Sequence, residues 1–212
     1  MKKIINRSTV VTVIATALVF GLLSFSAADK SYKIGDQVAD FSLKNTENNQ
    51  PVSLYSLKGA SKGAIVVFTC NHCPFAKKYE QRIIELDKKY ASKGFPVLAI
   101  SSNDPSAVPD DSYANMAARA KDKSYSFPYA FDETQSIART FGATKTPHAF
   151  VVAKENGKWI LKYMGAIDDN TDDPSAVKTA YVANAIDAVL AGKAVAVTET
   201  KSIGCTIKWK NS

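Results

Sequence analysis

The hydrophobic pattern of this chain changes period several times, and each change marks an element. Residues Ala64 to Phe68, "AIVVF", form a continuous apolar run rich in β-branched residues, the pattern of a strand buried on both faces. From Pro74 onward Phe75, Tyr79, Ile83, Leu86 and Tyr90 recur at helical spacing, which predicts an amphipathic helix closed by Gly94. Pro74 suits the first turn of that helix, where no backbone N–H is needed. A second apolar run, Phe95 to Ser101, completes a strand, helix, strand unit and predicts parallel pairing through a right-handed crossover.

Upstream, Phe41 to Leu43 and Val52 to Leu54 are short alternations separated by Asn, Glu, Gln and Pro, which reads as an N-terminal hairpin. Downstream, the polar stretch Ser102 to Asp111 reads as a loop and Ser112 to Lys123 as a modest helix. Phe127 to Phe131 is a short extended stretch; Asp132 is then predicted to cap a short helix, with Gln135 at the capping-box position and Gly142 at the end. "HAFVVA" and "WILKYMG" flank Asn156-Gly157, a strong two-residue hairpin signal. Asp173-Pro174 is predicted to start a last helix carrying Val177, Tyr181, Ile186 and Leu190 and stopping at Gly192. The order of elements predicts an α/β domain, a central mixed sheet flanked by helices with an N-terminal β-hairpin extension.

Composition adds a compartment. Lys2, Lys3 and Arg7 precede an almost wholly apolar run from Val10 to Phe25, and Ser26-Ala27-Ala28 supplies small residues just before Asp29. This predicts a signal peptide over residues 1–28, a domain over 29–195 and a tail over 196–212. An uncleaved membrane anchor through residues 8–28 is the alternative. No cysteine ends the run to carry a lipid. Either way the domain is expected outside the cytoplasm, periplasmic or secreted, where disulfides persist. The formal net charge is +7, but three of those charges lie in the leader and the remaining lysines are scattered among acids. That argues against a nucleic-acid partner.

The chemistry concentrates in "FTCNHCPF", Phe68 to Phe75, where Cys70-Asn71-His72-Cys73 sets two cysteines around a histidine. A structural zinc site wants four ligands, and the only other cysteine is Cys205. A redox pair and two buried thiols remain. The position, at a strand end just before a helix, favours the first: helix N-terminal N–H groups stabilise a thiolate, so Cys70 is expected to be exposed and to ionise easily. Cys73, one turn in, is suited to resolve a mixed disulfide, and His72 would stabilise the Cys70 thiolate further. The second histidine, His148 in "KTPHAF", begins the strand expected beside the redox strand, so the Thr146 to His148 loop is expected to face Cys70.

"GDQVADFSL", "VSLYSLKG", "VVFTCNHCPF", "FDETQSIARTFGATKTPHAFVV" and "YMGAID" together resemble the thioredoxin superfamily, in particular its redoxin, AhpC/TSA-like branch of exported thioredoxin-like and peroxiredoxin-like proteins. The resemblance spans about residues 34–190. It implies a thioredoxin-like fold and thiol-disulfide exchange with protein thiols or disulfides. It also implies a redox partner that resets the pair, and neither cofactor nor metal. Cys70 and Cys73 would be catalytic, with His72, Thr146, Pro147 and His148 in support. Pro147 would be cis, and Thr146 would offer its N–H and C=O to a substrate peptide.

Three departures from that pattern matter. Thr69 stands where relatives place a tryptophan. "AIVVF" lacks the buried acid many thioredoxins carry there, and Glu80 is the nearest, weak substitute. The Pro-x-x-x-Thr/Ser-x-x-Cys pattern of peroxiredoxins is missing, since Gly63 and Val67 hold those positions before Cys70 and Val66 and Cys70 hold them before Cys73. Arg139 reads as a helix-surface residue rather than a peroxide ligand. Thiol-disulfide exchange therefore leads. A thiol peroxidase is the alternative, and a copper chaperone using Cys70, Cys73 and His148 is a third reading. Cys205, in "TKSIGCTIKWK", is a free buried thiol, an intermolecular disulfide or a third redox thiol. The oligomeric state is left open.

Overall fold

The structure is a computed structural model that describes residues 31–210; the predicted signal peptide lies outside the described residues. Among the described residues no helix is long and apolar enough to cross a membrane. The expected hairpin forms from β1 (Ser42–Asn45) and β2 (Pro51–Ser53), with Leu43 opposite Val52. β3 (Gly63–Phe68) is buried at every position and runs into α1 (Pro74–Tyr90), with Pro74 in the first turn. A single 3-10 turn, Ala91–Lys93, follows α1 and closes on Gly94 at φ 94°, a left-handed conformation that glycine adopts without strain.

β4 (Val97–Ser101) lies parallel to β3, Phe68 beside Ile100. α2 (Tyr113–Asp122) starts on Ser112, whose hydroxyl accepts the Asn115 N–H. Then come β5 (Tyr129–Phe131), α3 (Ser136–Phe141), β6 (Lys145–Thr146), β7 (His148–Glu155), β8 (Lys158–Gly165), α4 (Tyr181–Leu190) and β9 (Cys205–Thr206). Seven strands form one mixed sheet in the order β2-β1-β5-β4-β3-β7-β8, while β6 and β9 form a small separate pair.

Alternation along the central strands sorts their side chains into two cores. Ile65, Val67, Val97, Ala99 and Val151 meet Tyr79, Ile83 and Tyr90 of α1 and Val182 and Ile186 of α4. Ala64, Val66, Phe68, Leu98, Ile100 and Phe150 face the other way, onto Ala138 and Phe141 of α3 and onto Ile207 of the tail. Helices thus cover both faces, as the element order predicts. Phe141 touches Phe68 and Phe150 at ring separations of 5.6 and 5.1 Å, which ties α3 to the strand that carries the cysteines.

Two predicted helix starts are corrected. Asp132 does take helix N–H groups, with Oδ2 accepting from Ala138 at 2.9 Å, but α3 begins only at Ser136 because Gln135 sits at φ 62°. Gln135 makes no capping box; its amide nitrogen donates to the carbonyls of Ser102 and Lys208. The last helix starts at Tyr181, not at Asp173-Pro174. The Asp173 carboxylate accepts both the N–H and the hydroxyl of Ser175, closing a lone 3-10 turn over Pro174–Ala176. Asp169 then takes the Lys178 N–H, so the chain runs non-helically past Val177.

Candidate active site

Thr69 extends the pairing of β3, its N–H donating to Ile100 at 2.8 Å, and the backbone then breaks from the sheet through Cys70, Asn71 and His72. Cys73 is the N-cap of α1 in extended conformation. Opposite it the Thr146–Pro147 peptide is cis. Thr146 touches both cysteines: its hydroxyl lies 3.2 Å from the Cys70 sulfur, and its carbonyl accepts the Cys73 thiol at 3.3 Å. All three cysteines are thiols here.

Cys70 is not the exposed residue expected from its position. It is 6% exposed and Cys73 is fully buried. The cause is the tail. β9 pairs antiparallel with β6, Cys205 opposite Thr146, and Cys205 and Phe75 pack against Cys70, Cys73 and Ala76. Phe75 therefore supplies the apolar cover that Thr69 does not.

A carboxylate that sequence reasoning missed organises the other side. Asp111, wholly buried, accepts the backbone N–H groups of Asn71 and His72 through Oδ1 at 2.6 and 3.1 Å. Its Oδ2 lies 2.6 Å from His72 Nδ1 and accepts the Asn103 amide at 2.7 Å. The short contact to a carboxylate places a ring proton on Nδ1. His72 Nδ1 is also 3.6 Å from the Cys70 sulfur. The signal for Asp111 is topological. β3 and β4 are parallel neighbours, so the loops leaving their C-terminal ends meet, and a ligand site is expected there.

The thiols are strongly unequal. Cys70 is pushed well up, first because its S–H donates to Cys73, then by burial and by the Asp111 carboxylate. Cys73 is drawn down to about 4, first by accepting that hydrogen bond and then, against burial, by the Cys205 thiol and the Ala76 N–H. Beyond that shared hydrogen bond, the Asp111 carboxylate opposes ionisation of Cys70, while the Ala76 N–H and the Cys205 thiol favour it at Cys73. Cys205 is raised to about 11, by burial first and then by Cys73.

Other expectations divide. His148 follows the cis proline but makes no hydrogen bond to either thiol. Its ring lies 4.5 Å from that of Phe150, and its Nδ1 is buried without a partner among the described residues. Burial draws it down to about 4, so it is neutral near pH 7. The copper reading through Cys70, Cys73 and His148 loses its imidazole. The three-donor cluster among the described residues is Cys70, His72 and Asp111, and its donors already bond to one another. Glu80 is held by Arg119 at 2.7 Å and by Tyr125, so it is no free base. Arg139 stacks over Trp209 of the tail, 4.4 Å from the ring centre.

A cysteine pair at the start of the helix after the central strand, set against a cis-proline loop, defines a thioredoxin-like protein, an oxidoreductase of thiol-disulfide exchange. Residues 34–162, more than half of the chain, match the AhpC/TSA family, and the chain belongs to that family. It is similar to the thiol-disulfide oxidoreductase ResA of Bacillus thuringiensis strain Al Hakam, 27% identical over 168 residues that cover 78% of this chain and 91% of the relative. An uncharacterised conserved protein from Geobacillus kaustophilus superposes with a TM-score of 0.78 at 35% identity, covering 85% of this chain and 94% of its own. The exposed lipoprotein thioredoxin of Streptococcus pneumoniae strain TIGR4 shares the fold, with a TM-score of 0.52 at 19% identity over 70% of this chain and 99% of its own.

Proposed function

We propose that Cys70 and Cys73 are the redox pair and that they exchange disulfides with protein substrates outside the cytoplasm. The observation that carries this reading is the contact of both sulfurs with Thr146 at the cis-proline loop. Cys70 is the outer sulfur. Once its proton has passed to solvent, the Cys70 thiolate attacks a substrate disulfide. The Cys70–substrate bond forms, the substrate's own S–S bond breaks, and the departing substrate sulfur takes a proton. Cys73 then attacks Cys70, releasing the second substrate sulfur as a thiol and leaving the Cys70–Cys73 disulfide. His72 and Asp111 hold the loop that presents Cys70. The apolar leader over residues 1–28 supports the location.

Reduction of insulin disulfides by the reduced protein is expected to vanish in Cys70→Ser, and a redox titration should report one two-electron couple for Cys70 and Cys73. Insulin reduction that persists in Cys70→Ser would overturn the reading. Peroxide consumption dependent on Cys70, in place of insulin reduction, would instead favour the peroxidase alternative.

A further inference from the structure

The tail occupies the edge on which a substrate would dock. β9 pairs with Thr146 itself, and Ile207 continues the contact by donating to the Thr144 carbonyl at 3.1 Å. The approach is close enough to require glycine: a Cβ on Gly204 would collide with the carbonyl of Thr146 and meet the nitrogen of Pro147. Beyond Cys205 the tail is held at each step. Lys145 donates to the Thr206 hydroxyl, Ile207 is 2% exposed, Lys208 donates to Asn103 at 2.8 Å and Lys210 to Gln135 at 2.8 Å. Cys205 is thus delivered to the pair by a docked strand, as an extended peptide added to a sheet edge delivers its side chains.

We propose that Cys205 is a third exchange thiol and that the tail is a substrate built into the chain. The proposal rests on the reading of Cys70 and Cys73 as the redox pair. In the oxidised protein the Cys205 sulfur attacks Cys73. The Cys73–Cys205 bond forms, the Cys70–Cys73 bond breaks, and the proton of Cys205 ends on Cys70. No oxidant or reductant is consumed. The molecule keeps its two oxidising equivalents while Cys70 becomes a free thiol. Cys73 is the acceptor by placement: Cys205 stands opposite Thr146 in the strand pair and packs on the cysteines, and the backbone carbonyl of Thr146 lies beside the Cys73 sulfur while Cys70 meets its side-chain hydroxyl.

The test uses the full-length chain in a glutathione redox buffer, with disulfides mapped on unreduced peptides. Cys70→Ser is expected to give a Cys73–Cys205 linkage within one chain. A Cys70→Ser, Gly204→Val double variant, whose strand cannot seat, is expected to lose that linkage about tenfold as the effective concentration of Cys205 falls. Cys73 and Cys205 found only as free thiols or glutathione adducts in Cys70→Ser would overturn the proposal. A linkage unaffected by Gly204→Val would overturn it too, because chain flexibility rather than docking would then explain the bond. The pair's own reading is judged separately: the wild type should also contain the Cys70–Cys73 disulfide, and Cys205→Ser should contain it alone.

Discussion

Asp111→Asn removes the buried carboxylate that faces Cys70 and keeps the shape of the side chain. The effect is cleanest in a Cys73→Ser, Cys205→Ser background, which leaves Cys70 as the only cysteine. There the hydrogen bond to Cys73, the largest cause of the raised Cys70 thiol, is gone, and burial and Asp111 remain. The facing atoms of Cys70, His72 and Asp111 lie within 4.8 Å of one another. At that distance and an effective dielectric of about 20, two unit charges interact by about 3.5 kcal/mol, or roughly 2.5 pH units. His72 sits 2.6 Å from the same carboxylate and absorbs part of that field. The expected result is therefore a fall of about 1–2 units in the Cys70 ionisation.

The pH dependence of alkylation by iodoacetamide reads this directly. Asp110→Asn, at the neighbouring exposed carboxylate, should leave the curve in place. The Asp111→Asn substitution has a structural cost, because the amide it introduces would meet the amide of Asn103 donor to donor, at about 1–3 kcal/mol. A melting curve confirms that the variant is folded. A Cys70 ionisation that stays put or rises in folded Asp111→Asn would refute the electrostatic account. In the intact pair the same change favours the ionised, reduced form and so raises the reduction potential, by about 30 mV for each 1.4 kcal/mol.

Two further outcomes follow from buried charge. His148 is drawn from 6.5 to about 4 by burial, so the unfolded chain takes up its proton first as pH falls. The stability tied to this is complete above pH 6.5 and is lost as pH drops through 4, by at most about 3.4 kcal/mol at 1.36 kcal/mol per unit. Urea unfolding across that window should show His148→Phe with a flatter pH dependence than wild type; equal slopes would sink the assignment. Asp168 binds Arg82 through both oxygens at 2.8 Å, with Tyr79 also donating to it, and the pair is nearly buried. Asp168→Asn should cost about 3–5 kcal/mol in urea unfolding by leaving Arg82 uncompensated, and a loss below about 1 kcal/mol would mean the pair is solvated.

What the chain discloses depends on whether the information is local. β3 and α1 are legible because "AIVVF" and the Phe75 to Tyr90 spacing each state a period, and the switch between them falls on the cysteines. The start of α4 is not, because its competitor is a side chain: Asp173 and Asp169 both take backbone N–H groups that a helix would use. His148 is misplaced for a different reason. It stands two residues before Phe150 in β7, so both point to one face of the sheet, the face of α3. Proximity in sequence to Pro147 says nothing about that face. Asp111 is hidden in a polar loop that looks like any other, and only the parallel pairing of β3 with β4 brings it to Cys70.

The same asymmetry links the two features that set this site apart from a bare cysteine pair. Asn103 donates its amide to Asp111 at 2.7 Å and accepts the Lys208 N–H on its carbonyl oxygen at 2.8 Å. One side chain therefore fixes both the carboxylate facing Cys70 and the tail that brings Cys205 to Cys73. Turning that amide over would set two donors against each other at Lys208 and two acceptors at Asp111, so its orientation is dictated from both sides. Withdrawal of the tail frees the Asn103 oxygen and removes one of the two constraints on the amide that steadies Asp111. The electrostatics of Cys70 and the seating of Cys205 are in this way properties of one hydrogen-bond network, and a substitution in either half acts on both.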